Sequence, residues 1–167
     1  MMKRPSRRTL AVVVVVLAIA LGFSRLGIGD EDRAELLQPA PHWEADQVIQ
    51  VVLRALAQPD EPYEGAGIEQ TWAFASPINR TQTGPLERFR ELVGNPAYRP
   101  LLGHRQAHRD ELMIEDDKAY QEVEIIGAEG TRVVYVFQLR RHTTDDCADC
   151  WLTDAVIPIE REEVEAI

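Results

Sequence analysis

The sequence predicts an α+β domain: three short helices come first, and then a four-stranded antiparallel sheet. Apolar residues recur at three and four residue spacing between Ala45 and Val93, and from Gly103 onward the period drops to about two. The alternating runs are joined mostly by connections short enough for antiparallel hairpins. Helices packed on one face of such a sheet bury both sets of apolar side chains.

Ahead of the domain, Lys3, Arg4, Arg7 and Arg8 run into LAVVVVVLAIALGF, fourteen residues without a charge. Positive charge before an apolar run keeps the N-terminus cytoplasmic and sends the downstream chain across a membrane. Residues 1–29 read as a signal peptide or a transmembrane anchor. Leu10 to Phe23 has the length of a cleavable apolar region, about 7 to 15 residues. Extension to Ile28 gives nineteen residues, and Arg25 near the outer end can snorkel to the interface. Cleavage after Gly22 or Gly29 would release the domain as a secreted or periplasmic protein. Retention makes residues 10–28 the membrane contact and leaves the domain on the extracytoplasmic side. Residues 30–43, charged and then broken by prolines, read as a tether. Residues 44–160 form the domain, and 161–167 an acidic tail.

Within the domain, Ala45 to Ala57 sets Val48, Val52 and Leu56 on one stripe beside Ile49 and Leu53, and QPDEP ends that helix. Gly67 to Ala75 repeats the pattern with Ile68 and Trp72 and stops at Ser76 and Pro77. Pro85 suits the first turn of a third helix carrying Leu86, Phe89 and Val93 on one face. Strands are expected at Gln106 to Glu115, Lys118 to Ile126, Thr131 to Arg141 and Cys150 to Glu160. EDDK and GAEG are the hairpin connections, and HTTDDCAD is a longer polar loop.

Residues 1–29 hold five of the eighteen basic residues and none of the twenty-eight acidic ones, so thirteen bases face twenty-eight acids in the rest, a net charge of −15. Such a surface repels phosphate backbones, which argues against nucleic-acid binding. About 138 residues beyond the leader are enough for one hydrophobic core.

The run TWAFASPINRTQTGPLERFRELVGNPAYRPLLGH, residues 71–104, contains Phe74-Ala75-Ser76-Pro77, then Gly84-Pro85 with Phe89, then Tyr98-Arg99-Pro100. These blocks resemble the diagnostic segment of a bacterial and plant domain family of unknown function within the nuclear transport factor 2-like superfamily, the SnoaL-like and ketosteroid isomerase-like cones. CWLTDAV, residues 150–156, is similar to the last strand of many such cones. The resemblance covers residues 44–160. It implies a cone-shaped domain, with the helices against a curved sheet around an internal pocket, and it implies no particular activity.

Cys147 and Cys150 would form a disulfide in an oxidising compartment, closing a very short loop. Redox catalysis would want the pair at a helix start, and here Trp151 opens a strand. A metal half-site of His142 with Asp145, Asp146 or Asp149 lacks a completing ligand pair, so neither a metal nor a cofactor is expected. His104 and His108 would share one side of an extended strand, and His104 is a candidate general base. Asp154, between Leu152 and Val156, is the other candidate, on the expectation that burial raises its pKa; the competing reading pairs it with an arginine such as Arg99. Trp72, Phe89, Tyr98, Tyr135 and Trp151 are candidates to line a ligand pocket, although core packing also accounts for such aromatics. EDDKAYQEVE reads as a solvated hairpin end rather than a calcium loop, and Asn79-Arg80-Thr81 fits a glycosylation sequon.

With no complete catalytic constellation, the sequence favours a non-catalytic module that binds a small apolar ligand or a protein partner. Two alternatives stand beside it: a small isomerase or hydrolyase using Asp154 or His104, and a structural domain that self-associates as a homodimer through its sheet.

Overall fold

A computed structural model describes residues 35–144 and 147–159. The apolar leader, the acidic tail, and Asp145 and Asp146 lie outside those residues. No helix among the described residues is long and apolar enough to cross a membrane.

Helix α1 spans Ala45–Ala57. The side chain of Gln47 reaches back to accept the Glu44 N–H at 2.9 Å, satisfying one amide that an isolated helix start leaves open. Val48, Ile49, Val52, Leu53 and Leu56 form its buried stripe, as the spacing predicts. Helix α2 spans Ala66–Ala73 and comes so close to α1 that a side chain on Gly67 would collide with the Ala55 carbonyl oxygen and come within 2.8 Å of the Pro59 Cα. Only glycine permits that approach.

The second helix is shorter than its pattern predicts, and a fourth helix exists. Phe74 ends α2, and Ser76 caps a separate helix, α3, Pro77–Thr83, by accepting the Asn79 N–H. Proline at the first position of α3 loses no intrahelical bond. Helix α4 is Leu86–Val93, burying Phe89 and Val93. A 3-10 turn, Arg99–Leu101, then leads to the sheet.

The sheet has five strands, because the first expected run divides into β1, Gln106–Arg109, and β2, Met113–Glu115. Both pair antiparallel with β3, Lys118–Ile126, one at each end of it. Between them the chain is held by the Gln121 side chain, which donates to the Asp110 carbonyl at 2.8 Å. Strands β4, Arg132–Thr144, and β5, Cys147–Ile159, are longer than expected. Most of the segment assigned to a polar loop is therefore ladder: Thr143 and Thr144 pair with Ala148 and Cys147. The order is β1-β3-β4-β5, all antiparallel.

Alternation on the inner face supplies Ala119, Val123 and Ile125 from β3 and Tyr135, Phe137 and Leu139 from β4 to a core shared with α1 and α4. On β5 the register with β4 shifts twice, once opposite His142 and Thr143 and once opposite Gln138 and Leu139. Leu139 pairs with Thr153 and Gln138 with Ala155, so Asp154 is the extra residue of a β-bulge.

The expected tether is partly built into the domain. The Gln70 side chain accepts the Leu37 N–H and donates to the Leu37 carbonyl, each at 2.7 Å, as a neighbouring strand would. Trp43 packs against the core, edge-on to Phe74.

Candidate functional site

Residues of α1, α2, α3 and α4, the 3-10 turn and the second half of β5 line a cavity of about 300 Å³. Its apolar wall includes Val52, Leu56, Phe89, Leu92, Val93 and Leu101, with Tyr98 beside them. The polar part of the lining is Thr71, Asn79, Gln82, Thr83 and Thr153, together with Asp154. No arginine, lysine or histidine lines it among the described residues.

Backbone pairing positions the polar wall. The segment leaving α2 runs beside β5 as a short parallel bridge between Ala75 and Thr153. The Thr153 N–H donates to the Phe74 carbonyl at 2.8 Å, and the Ser76 N–H donates to the Thr153 carbonyl at 3.0 Å. Asn79, in the first turn of α3, adds its amide Nδ2 to the same Thr153 oxygen at 3.1 Å. Asn79 is 8 % exposed and its amide nitrogen is engaged, so the sequon is folded into the domain rather than presented to solvent. The Thr153 hydroxyl is buried and has no hydrogen-bond partner among the described residues.

Of the five aromatic candidates, Phe89 and Tyr98 line the cavity and three do not. Tyr135 is fully buried and donates its hydroxyl to the Ala97 carbonyl at 2.8 Å. Burial, with the neighbouring Tyr98 phenol adding to it, pushes the Tyr135 pKa up to about 12. Trp151 is core, with the Arg141 guanidinium 4.9 Å from its ring centroid. Trp72 carries Arg80 at 4.1 Å in the same manner. Core packing and cation stacking thus account for these three.

Neither candidate base is placed as expected. His104 precedes β1, so it does not share a strand face with His108; its Nδ1 lies 2.8 Å from the Leu101 carbonyl oxygen, and it is absent from the cavity lining. Asp154 does contribute to the lining, but its carboxylate is already engaged. Arg140 Nε donates to Oδ2 at 3.0 Å, and His142 Nε2 lies 3.1 Å from Oδ1. Burial pushes the Asp154 pKa up, but hydrogen bonds from Ser76, Arg140 and His142, with the His142 charge, outweigh it and hold the carboxyl below its ordinary value. The expected rise is therefore reversed. The arginine partner is Arg140, while Arg99 sits 3.9 Å from Glu129.

Cys147 and Cys150 are joined as a disulfide across a Cα separation of 5.6 Å at the start of β5. His142 lies opposite Cys150 in the ladder with its Nε2 3.1 Å from Asp154 Oδ1, while Asp145 and Asp146 of the expected half-site lie outside the described residues. Among the described residues no group of three or more His, Cys, Asp or Glu could hold a metal ion. Asp116 and Asp117 form the tip of the β2–β3 hairpin, exposed as that acidic stretch predicts.

Sequence reasoning missed Thr153 and the Asn79 amide. A threonine two residues after a core tryptophan in a strand signals an inward hydroxyl, whereas the Asn79 contact joins residues 74 positions apart and has no local signature.

Residues 41–166 match the family described as Domain of unknown function (DUF4864). The chain belongs to the DUF4864 family. The match takes in every helix and strand of the domain, including both sides of the cavity. Searches of the curated proteins and of the solved structures found no match.

Proposed function

We propose that this DUF4864 domain is a non-catalytic binding module that takes a small, mostly apolar molecule into the cavity between its helices and β5. The carrying observation is the cavity of about 300 Å³ with a mostly apolar lining and a few polar side chains, the composition usual for small-molecule sites. The nuclear transport factor 2-like cone belongs to the same reading: helices precede an antiparallel sheet whose bulges at Asp154 and after His142 bend β4 and β5. Placement on the outer side of a membrane, held by residues 10–28, rests on the basic cluster and apolar run of the leader.

Binding is favoured over isomerase or hydrolyase chemistry because Asp154, the one carboxylate lining the cavity among the described residues, is already engaged by Arg140 and His142 and has its pKa held low. A proton-abstracting carboxylate works best with its pKa moved toward the working pH, and Asp154 is moved away from it.

Leu92→Trp would put a bulky ring into part of the cavity from its half-buried rim. The intact chain, purified in an amphipathic polymer without small detergent, should gain thermal stability from propylbenzene, and the Leu92→Trp variant should not. No gain in the unaltered chain, or an equal gain in both, would overturn the binding reading.

A further inference from the structure

We infer that the molecule held in this cavity is amphipathic: its apolar body fills the buried part, and a single polar group stays at the mouth, where the Gln82 amide and the Tyr98 hydroxyl are the groups left to receive it; this rests on the proposed binding function.

Burial divides the lining into an inner part and a mouth. Val52, Leu56, Phe89, Val93 and Leu101 are each 8 % exposed or less. Gln82 in α3 and Ile157 in β5 line the same cavity and are exposed to solvent, while Leu92 and Tyr98 are half-buried. The cavity therefore meets water at these residues.

Hydrogen bonding divides the lining in the same way. In the inner part, the Thr71 hydroxyl donates to the Gly67 carbonyl at 2.8 Å, and Asn79 Nδ2 donates to the Thr153 carbonyl at 3.1 Å. The Thr83 hydroxyl donates to the Asn79 carbonyl at 2.9 Å and lies 3.4 Å from Asn79 Oδ1, so both ends of that amide have neighbours. The Thr153 hydroxyl oxygen is itself buried away from the empty cavity. No guest reaches it. Asp154 is taken by Arg140 and His142. Gln82 and Tyr98 differ from all of these, because neither side chain makes a hydrogen bond with the described residues.

A polar group carried into the inner part would lose its water and find each side-chain partner engaged or shut away, which weakens binding. At the mouth the same group keeps part of its water and meets an amide and a phenol, each able to donate and to accept. An apolar body with one polar end suits both parts at once. Size bounds the body: a dry cavity of about 150 Å³ accommodates benzene, so twice that volume suits a ring with a short chain, on the order of ten heavy atoms.

Three probes share that body: propylbenzene, 3-phenylpropan-1-ol with a hydroxyl at one end, and 3-(4-hydroxyphenyl)propan-1-ol with one at each end. Their dissociation constants would be measured by NMR titration of the full-length chain in an amphipathic polymer. The one-ended alcohol should bind about tenfold more tightly than the two-ended one, which buries a hydroxyl without a partner whichever way it enters. In the bound one-ended alcohol, cross-relaxation should connect the hydroxymethyl protons to Gln82 or Tyr98 and the phenyl protons to Val52 and Leu56. Gln82→Leu combined with Tyr98→Phe removes both polar groups from the mouth and leaves the inner part as it is. That double variant should bind the one-ended alcohol about fivefold more weakly, the worth of one net hydrogen bond, and propylbenzene no more weakly than before. Equal affinity for the one-ended and two-ended alcohols, hydroxymethyl protons against Val52 and Leu56, or an unchanged affinity of the double variant for the alcohol would each overturn the amphipathic assignment while propylbenzene still binds. If none of the three probes perturbs Val52 or Phe89, the binding reading fails with it.

Discussion

Asp154 owes its position to a single extra residue in β5, and its charge state to what that position brings within reach. The bulge leaves it without a partner in β4, and its carboxylate meets Arg140 and His142 instead, with its side chain 17 % exposed. Because its folded pKa lies below the ordinary carboxylate value, the stability it contributes is present at pH values above that ordinary value, about 3.9. That contribution is lost as pH falls toward and through the depressed folded pKa. Asp154→Asn should therefore cost about 2 kcal/mol at neutral pH, the scale of hydrogen bonds to a charged group. Urea denaturation should show the gap between the two proteins closing below about pH 4. A gap that stays constant down to about pH 2, well below the ordinary carboxylate range, would mean that the carboxylate's ionisation is not what stabilises the fold.

At the scale of elements, the joins between helices and sheet matter more than the helices themselves. Ser76 ends one segment and caps α3, and its side chain is one of the groups that hold the Asp154 pKa down. Ser76→Ala is expected to lower stability by about 1 to 2 kcal/mol in chemical denaturation, an amount that would be surprising for a merely buried serine. Gly67→Ala tests the α1–α2 approach. The added methyl meets backbone atoms of Ala55 and Pro59 that cannot rotate away, so a loss of about 3 kcal/mol is expected. A variant as stable as the parent would show that α2 can shift without cost. Helix α1 was legible because five core residues fall on one stripe. Helix α3 was not, because Pro77 to Thr83 buries only Asn79 and has no apolar periodicity to read. The division of β1 from β2 and the ladder through Thr143 were hidden for a related reason: polar residues in a strand are set by their cross-strand partner, not by their own sequence.

For the molecule as a whole, the acidic domain and the basic, apolar leader differ sharply in composition, and the anchored arrangement proposed above can be tested directly. The chain recovered from its host's membrane fraction should keep its full mass of 18.9 kDa and resist extraction by high salt, which weakens charge attraction but not burial of an apolar segment. A shorter mass lacking the first 29 residues, found in the soluble fraction, would overturn the anchored arrangement and make this an exported free domain. The net charge of −15 carried by residues 30–167 should also keep the chain beyond the leader from binding DNA or RNA at any salt concentration, a gel-shift result easily checked.

By itself the sequence determined what depends on local pattern: helices before strands, an antiparallel sheet, the core stripe of α1, the hairpins at EDDK and GAEG, and the acidity of the domain. Hydrophobic period, turn residues and charge are local properties, so they can be read along the chain. Tertiary structure alone decided which aromatics border the cavity, that Asp154 is bound by Arg140 and His142, and that the Thr153 hydroxyl finds no partner among the described residues. Each of those depends on register between strands and on contacts between distant residues. A one-residue bulge, invisible in composition, changes which way a side chain points and therefore what chemistry it can perform.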